Sequence, residues 1–153
     1  MTADNDNTIQ SQGLYVWQVD NLLAATTALA GHWQLSEEQV STGQSELAKN
    51  AVVSNRIATD TRTIKNGDIF LALSGENFDG HDYINMAASK GAVAAIVSRP
   101  ISTSIPQLVV KDTRLALGQL AAYRRQQHKD LTVIAITGSS GKTTCKEMLG
   151  SIF

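Results

Sequence analysis

Four short apolar runs constrain this chain more than any other feature: DIFLAL (68–73), AVAAIVS (92–98), PQLVVKD (106–112) and LTVIAIT (131–137). None alternates apolar with polar residues, so each, taken as a strand, is buried on both faces. Such strands need helices above and below a mostly parallel sheet. HDYINMAASKG (81–91) spaces Ile84, Ala87 and Ala88 for a short helix ending at Gly91. DTRLALGQLAAYRRQQ (112–127) predicts a long helix, with Asp112 as N-cap and Leu117, Leu120 and Ala121 on its inner face. Upstream, VVSNRIATD (52–60) leans towards strand, and 16–30 places Val19, Leu22, Leu23 and Leu29 at helical spacing before Gly31 as a stop. Residues 32–50 give no clear period.

Composition sets the outer bounds. The chain has 153 residues, 42% hydrophobic and 18% charged, which is the profile of a soluble globular protein of about one domain. Thirteen basic against fourteen acidic residues give a net charge of −1, which argues against nucleic acid or an anionic membrane as the main partner. The longest basic run, Arg124-Arg125, reads as a solvated helix face. A single cysteine, Cys145, allows no internal disulfide and fits a reducing compartment. The opening MTADNDNTIQSQG lacks the basic start and apolar centre of a secretory signal, and no run approaches the roughly 20 apolar residues of a membrane span. The expectation is a cytoplasmic protein with a disordered tail over 1–13 and a first domain over 14–127. The polar stretch 126–130 marks the boundary, and 128–153 begins a second domain. The tripeptide Asp-Thr-Arg occurs at 60–62 and 112–114, the second copy being read as a helix cap.

LTVIAIT runs directly into ITGSSGKTTCKEM (136–148), which has the make-up of a phosphate-binding loop. Gly138 and Gly141 permit a tight turn whose N–H groups, with Ser139 and Ser140 between them, point inward. A helix starting near Lys142 adds its positive N-terminal end. Lys142 is placed to reach the β- and γ-phosphates and to stabilise the transferred phosphoryl group, and Thr143, followed by Thr144, to ligate Mg²⁺. The loop departs from G-x-x-x-x-G-K-[ST], because Ile136 stands where the first glycine is expected. The plainer reading is a Gly/Ser turn with an incidental lysine. Cys145, near the helix start, is either a reactive thiol or, the reading favoured, a small residue packed on the sheet.

With this loop in view, a second stretch gains meaning: TDTRTIKNGDIFLALSGENFDGHDYI (59–84), of the form D-[ST]-R, spacer, G-D-[LI]-F, then G and D-G-H. The two motifs in this order resemble those of the Mur ligases, ATP-dependent amide-forming enzymes of peptidoglycan precursor synthesis. The resemblance covers about 14–153. It implies an α/β fold: a small N-terminal mixed or parallel sheet flanked by helices, then the first strand, P-loop and helix of a truncated P-loop ATPase domain. ENFDGHDY, PQLVVKDTRLALGQLA and GSSGKTTCKEM favour the branch that joins D-alanyl-D-alanine to UDP-N-acetylmuramoyl-tripeptide.

By that resemblance Thr59 and Thr61 lie against the UDP nucleotide with Arg62 near it. Gly75, Glu76, Asn77 and Phe78 supply loop backbone around the base or ribose. Gly138, Ser139, Ser140, Gly141, Lys142, Thr143 and Thr144 hold ATP, with Mg²⁺ on Thr143. ATP would activate a peptide carboxylate as an acyl phosphate, which the incoming amine attacks as phosphate leaves. A glutamate, a histidine, a carbamylated lysine and a C-terminal domain complete the family's machinery, and none is in this chain, so it is expected to be inactive alone and its parent monomeric. For Arg62 a structural ion pair with Asp60 or Asp68 is an equal alternative. Asp79-Gly80 reads as a turn, and His81 as opening the next helix rather than touching substrate. Two other functions stay open: the ligase adding the third residue to UDP-N-acetylmuramoyl-dipeptide, and a stand-alone nucleotide-binding module.

Overall fold

The structure, a computed structural model, describes residues 16–35, 52–128 and 132–152. Expectations for the tail, for 36–51 and for the 129–131 junction lie outside the described residues. In chain order the strands are β1 (Trp17–Gln18), β2 (His32–Gln34), β3 (Val53–Ser54), β4 (Ile57–Ala58), β5 (Ile69–Leu71), β6 (Ser74–Gly75), β7 (Phe78–Asp79), β8 (Ala94–Val97) and β9 (Gln107–Val109). The helices are α1 (Val19–Thr26), α2 (Ile84–Ser89), α3 (Thr113–Gln127) and α4 (Lys142–Ile152).

Three of the four apolar runs contain the strands β5, β8 and β9, and these pair in parallel, as their lack of alternation requires. The full sheet has the order β2-β9-β8-β5-β4, with β2 antiparallel at one edge and β4 parallel at the other. Register is set by facing apolar residues, Ile69 opposite Ala94 and Ile96 opposite Leu108. Alternate residues then serve opposite faces. Ile69, Leu71, Ala94, Ile96, Leu108 and Val110 pack with Leu22 of α1 and Ala116 and Leu120 of α3. Phe70, Ala72, Ala95, Val97 and Val109 pack with Ile84 and Ala87 of α2. The sheet is thus covered on both sides, as expected. β1 and β3 make a small antiparallel pair beside it, and β6 and β7 form a hairpin.

The helix ends follow local chemistry. Asp112 caps α3, its Oδ1 accepting from the Leu115 N–H at 2.9 Å. Arg124 and Arg125 fall in the last turn of α3, where cations suit the dipole. The turn after α1 closes on Ala30 in the left-handed conformation (φ 52°), one residue before the Gly31 expected to stop it.

Three expectations are corrected. Ala121 is exposed, and Thr113, Ala116 and Leu120 are the buried residues of α3, because positions three and four apart share the face turned to the sheet. Leu117 packs at the margin of that core and Ala88 is half-buried. LTVIAIT forms no strand over its described residues, with Val133 and Ile134 about half exposed (51% and 53%). A strand exists only through a neighbour's hydrogen bonds, and none pairs with it among the described residues. For the same reason α4 buries nothing, and Cys145 is exposed rather than packed on a sheet.

Leu120→Ala is expected to lower stability by about 2–5 kcal/mol, whereas Ala121→Gln should stay within about 0.5 kcal/mol. Urea unfolding of both variants measures the contrast, and equal losses would misplace the buried face.

Candidate functional site

Four loops leave the C-terminal ends of β4, β5, β8 and β9 on one edge of the sheet. Ligands of open parallel sheets collect at such an edge, where the backbone is free of its ladder. Among the described residues two clefts open there, both bordered by the β6–β7 hairpin.

The larger, of about 560 Å³, is lined by Thr59, Asp60, Thr61, Arg62, Phe70, Phe78, Tyr83 and Met86. Its polar wall is a single 3₁₀ turn, Thr61–Thr63, following β4. Asp60 opens that turn by accepting from the Arg62 N–H at 2.9 Å, and its carboxylate also takes the Arg62 Nε and Nη2 (3.0 and 2.6 Å). The Arg62 side-chain and backbone bonds hold the Asp60 carboxyl down to about 2. The turn is anchored from two more sides. Lys90 donates to the Thr61 carbonyl at 2.9 Å, and Arg56 donates to the Thr63 carbonyl at 2.9 Å. Arg56 is itself fixed by buried Asp68 at 2.8 Å, which also accepts from the Lys65 N–H at 2.8 Å.

The apolar wall is aromatic. Phe78 and Tyr83 stack with ring centres 5.3 Å apart and planes 20° from parallel, both partly open to solvent. Phe70 is buried at 1% exposure and contributes to the cleft wall. Thr hydroxyls and a guanidinium facing stacked rings suit a ligand with a flat π-face and polar edges.

The hairpin between the clefts is fixed by Gly80 and His81. A Cβ on Gly80 would lie 2.7 Å from the Leu73 carbonyl oxygen and 2.8 Å from its nitrogen, so only glycine allows the chain to return this closely. His81 is buried, and its Nε2 accepts from the Ser98 N–H at 3.0 Å. A backbone amide can only donate, so the ring proton sits on Nδ1 and is given to Asp79 Oδ1 at 2.6 Å. The same oxygen accepts from the His81 N–H and the Ser74 hydroxyl, and Arg99 takes Oδ2 at 2.6 Å. These bonds, led by the His81 N–H and ring, hold the Asp79 carboxyl well below the usual carboxylate range.

The smaller cleft, of about 360 Å³, is lined by Ser74, Ser98, Lys111, Asp112, Thr113 and Arg114.

Of the residues singled out from sequence, Thr59, Thr61, Arg62 and Phe78 meet in the larger cleft, while Gly75, Glu76 and Asn77 sit exposed at the hairpin and are not among its lining residues. Arg62 pairs with Asp60, and Asp68 belongs to Arg56. The turn and the helical opening expected at Asp79–His81 are both present, with His81 serving the hairpin. Sequence reasoning missed Phe70, Tyr83 and Met86. The one available signal was that Tyr83 and Met86 are large apolar residues off the Ile84/Ala87 face of α2.

The phosphate loop lies apart. Gly138 and Gly141 take positive φ (145° and 79°), the Lys142 ammonium donates to the Gly138 carbonyl, and α4 begins at Lys142. Backbone amides at a helix N-terminus, an ammonium and the Thr143 hydroxyl form a donor set suited to a triphosphate with a divalent cation.

The chain, a parallel sheet with clefts at its strand ends followed by a glycine-rich loop and helix, carries a Mur ligase family domain. The model of the Mur ligase family, catalytic domain, matches residues 54–125. The chain is 50% identical over 107 residues to the UDP-N-acetylmuramoyl-tripeptide–D-alanyl-D-alanine ligase of Escherichia coli (strain K12), covering 70% of this chain and 24% of that one. Among solved structures, the UDP-N-acetylmuramoylalanyl-D-glutamyl-2,6-diaminopimelate–D-alanyl-D-alanyl ligase of Acinetobacter baumannii superposes with a TM-score of 0.73 at 48% identity, over 93% of this chain and 29% of that one. The MurF ligase of Thermotoga maritima in complex with ADP gives 0.53 at 37% identity, over 66% and 23%. The chain therefore spans about a quarter of the length of these relatives.

Two expectations follow from the hairpin. Gly80→Ala should lower stability by about 1–3 kcal/mol, because the atoms it meets are backbone and cannot swing aside; thermal unfolding measures it. Asp79 has its carboxyl depressed in the fold, so its contribution is complete above its ordinary value of 3.8 and is lost as pH falls below that value. Wild type should therefore be more stable than Asp79→Asn at pH 7, and the gap should shrink as acid is added below pH 3.8. A gap that stays constant down to pH 2 would show that the charge contributes nothing.

Proposed function

We propose that the chain is the N-terminal part of a ligase that adds D-alanyl-D-alanine to UDP-N-acetylmuramoyl-tripeptide at the expense of ATP, and that its larger cleft holds the uridine nucleotide of that substrate. The observation that carries this reading is the cleft itself. Two separate stretches of sequence, Thr59–Arg62 and Phe78–Tyr83, converge on one cavity that offers hydroxyls, a cation and a stacked aromatic pair. A uracil has a flat π-face for Phe78 and Tyr83, with edges for the Thr59 and Thr61 hydroxyls. Arg62 can turn to a phosphate at small cost, since an exposed ion pair such as Arg62–Asp60 is screened by water. Gly75, Glu76 and Asn77, at the hairpin tip, lend backbone groups to the same ligand.

Residues 138–144 serve as the ATP site. Their amides and Lys142 neutralise phosphate charge, and Thr143 contributes to the Mg²⁺ shell, with no further metal cluster among the described residues. Domains over 14–127 and 128–153 follow from this division of labour. The reading places the protein in the cytoplasm as part of a monomer, consistent with its single cysteine and with the lack of any helix, among the described residues, long and apolar enough to cross a membrane.

Calorimetric titration with uridine tests the cleft. Tyr83→Ala removes one ring from the apolar wall and should weaken binding about five- to tenfold, as loss of a stacking partner does. Unchanged affinity in Tyr83→Ala and Thr61→Val together would refute the placement. For the loop, Lys142→Ala should abolish whatever ATP affinity this chain has. Because α4 buries no residue, that affinity is expected to be weak.

A further inference from the structure

We infer that the smaller cleft is a second binding site, one that takes a phosphoryl-type anion. After β8 the chain passes to the α2 side of the sheet, where Ile101 and Ile105 pack. After β9 it passes to the opposite side, into α3. Neighbouring parallel strands whose exits diverge to opposite faces leave a crevice between their C-terminal ends, the switch point at which open α/β sheets bind ligands. Ser98 follows β8 and Lys111 to Arg114 follow β9, and these residues line the smaller cleft.

The chemistry of the lining then selects an anion. Two cations, Lys111 and Arg114, face one carboxylate, and that carboxylate is already engaged, because Asp112 Oδ1 caps the Leu115 N–H. Asp79, on the adjoining hairpin, is taken up by His81, Ser74 and Arg99. Lys111 is held by its backbone, whose N–H donates to the Leu29 carbonyl at 3.1 Å, while its side chain stays exposed. Arg114 makes one long side-chain bond, 3.5 Å, to the Ser74 carbonyl, and its other donors have no partner among the described residues. The first amides of α3, at the positive end of a fifteen-residue helix, add to these cations, while the Ser74 and Ser98 hydroxyls are engaged by Asp79 and His81. Compact, multiply charged acceptors of the phosphoryl kind match two cations set beside a helix N-terminus.

The group has two possible sources. One is the diphosphate of the nucleotide substrate, whose base would lie across the hairpin; this assignment rests on the function proposed above. The other is a separate inorganic phosphate or pyrophosphate, which does not. The site itself stands on the lining and the topology in either case.

The test uses the full chain carrying Lys142→Ala, so that the phosphate loop does not contribute, and titrates inorganic pyrophosphate, uridine and UDP while following backbone amide resonances. Pyrophosphate should shift the amides of Ser98 and Thr113, and Lys111→Ala or Arg114→Gln should each weaken it by about tenfold or more, the usual loss of a charge-assisted contact. Tyr83→Ala should leave pyrophosphate unchanged. UDP binding tighter than uridine, with the surplus removed by Lys111→Ala, identifies the substrate's own diphosphate. Equal binding of UDP and uridine, with pyrophosphate still dependent on Lys111, identifies a separate anion at the same site. Loss of uridine binding alone would defeat the proposed nucleotide cleft and leave the anion site standing. Pyrophosphate that leaves Ser98 and Thr113 unmoved, or binds equally well to both charge variants, overturns the inference.

Discussion

Burial of β5, β8 and β9 on both faces is the constraint from which the rest of the structure follows. Ile69, Phe70, Leu71 and Ala72, like Ala94 to Val97, have essentially no exposed surface. A polar side chain at those positions costs about 1–3 kcal/mol or more unless fully bonded, so polar chemistry is pushed to the strand ends. The buried polar groups obey the same rule. Gln107 both donates to and accepts from the backbone of Ile101, at 2.7 and 2.9 Å, and Asp68 is satisfied by Arg56 and the Lys65 N–H. What remains for a ligand is the edge where the strands finish.

The β6–β7 hairpin contributes to both clefts at that edge, Phe78 to the larger and Ser74 to the smaller. The close return at Gly80 brings the chain back over Leu73, and His81 ties the hairpin root to Ser98 at the end of β8. The two clefts have different characters. On one side Phe78 meets Tyr83; on the other the Ser74 carbonyl faces Arg114. His81 therefore acts through geometry. Both of its ring nitrogens are used inside the fold, one accepting from an amide and one donating to a carboxylate.

How much of this was legible in the sequence depends on whether the determining interactions are local. The non-alternating runs carried the parallel sheet, and Asp112 carried the start of α3, because burial pattern and capping are written into a few adjacent residues. The inner face of α3 was placed one step off, with Ala121 in place of Ala116, since alanine marks both buried and exposed helix positions. The D-T-R and G-E-N-F segments pointed to the larger cleft, but Tyr83 and Met86 join it only after α2 has been docked on the sheet. His81 was harder still. Its partner Ser98 comes from another strand, and nothing in the D-G-H tripeptide reveals that pairing.

The phosphate loop shows the same divide within one short segment. Positive φ at Gly138 and Gly141 and a helix from Lys142 are encoded by the glycines and the helix-forming residues after them, so they appear although α4 buries no residue. The strand before the loop does not appear. Val133, Ile134 and their neighbours have the composition of a buried strand, yet a strand is a relation between two chains' worth of backbone groups, and one partner cannot supply it. A loop that has its turn but lacks its strand holds its donors on a movable base. Preorganised donors are worth more than mobile ones, so tight phosphate binding depends on a sheet that fixes residues 132–138. The cleft at the end of β4 differs in this respect, because Lys90, Arg56 and Asp60 already hold its polar turn from three directions.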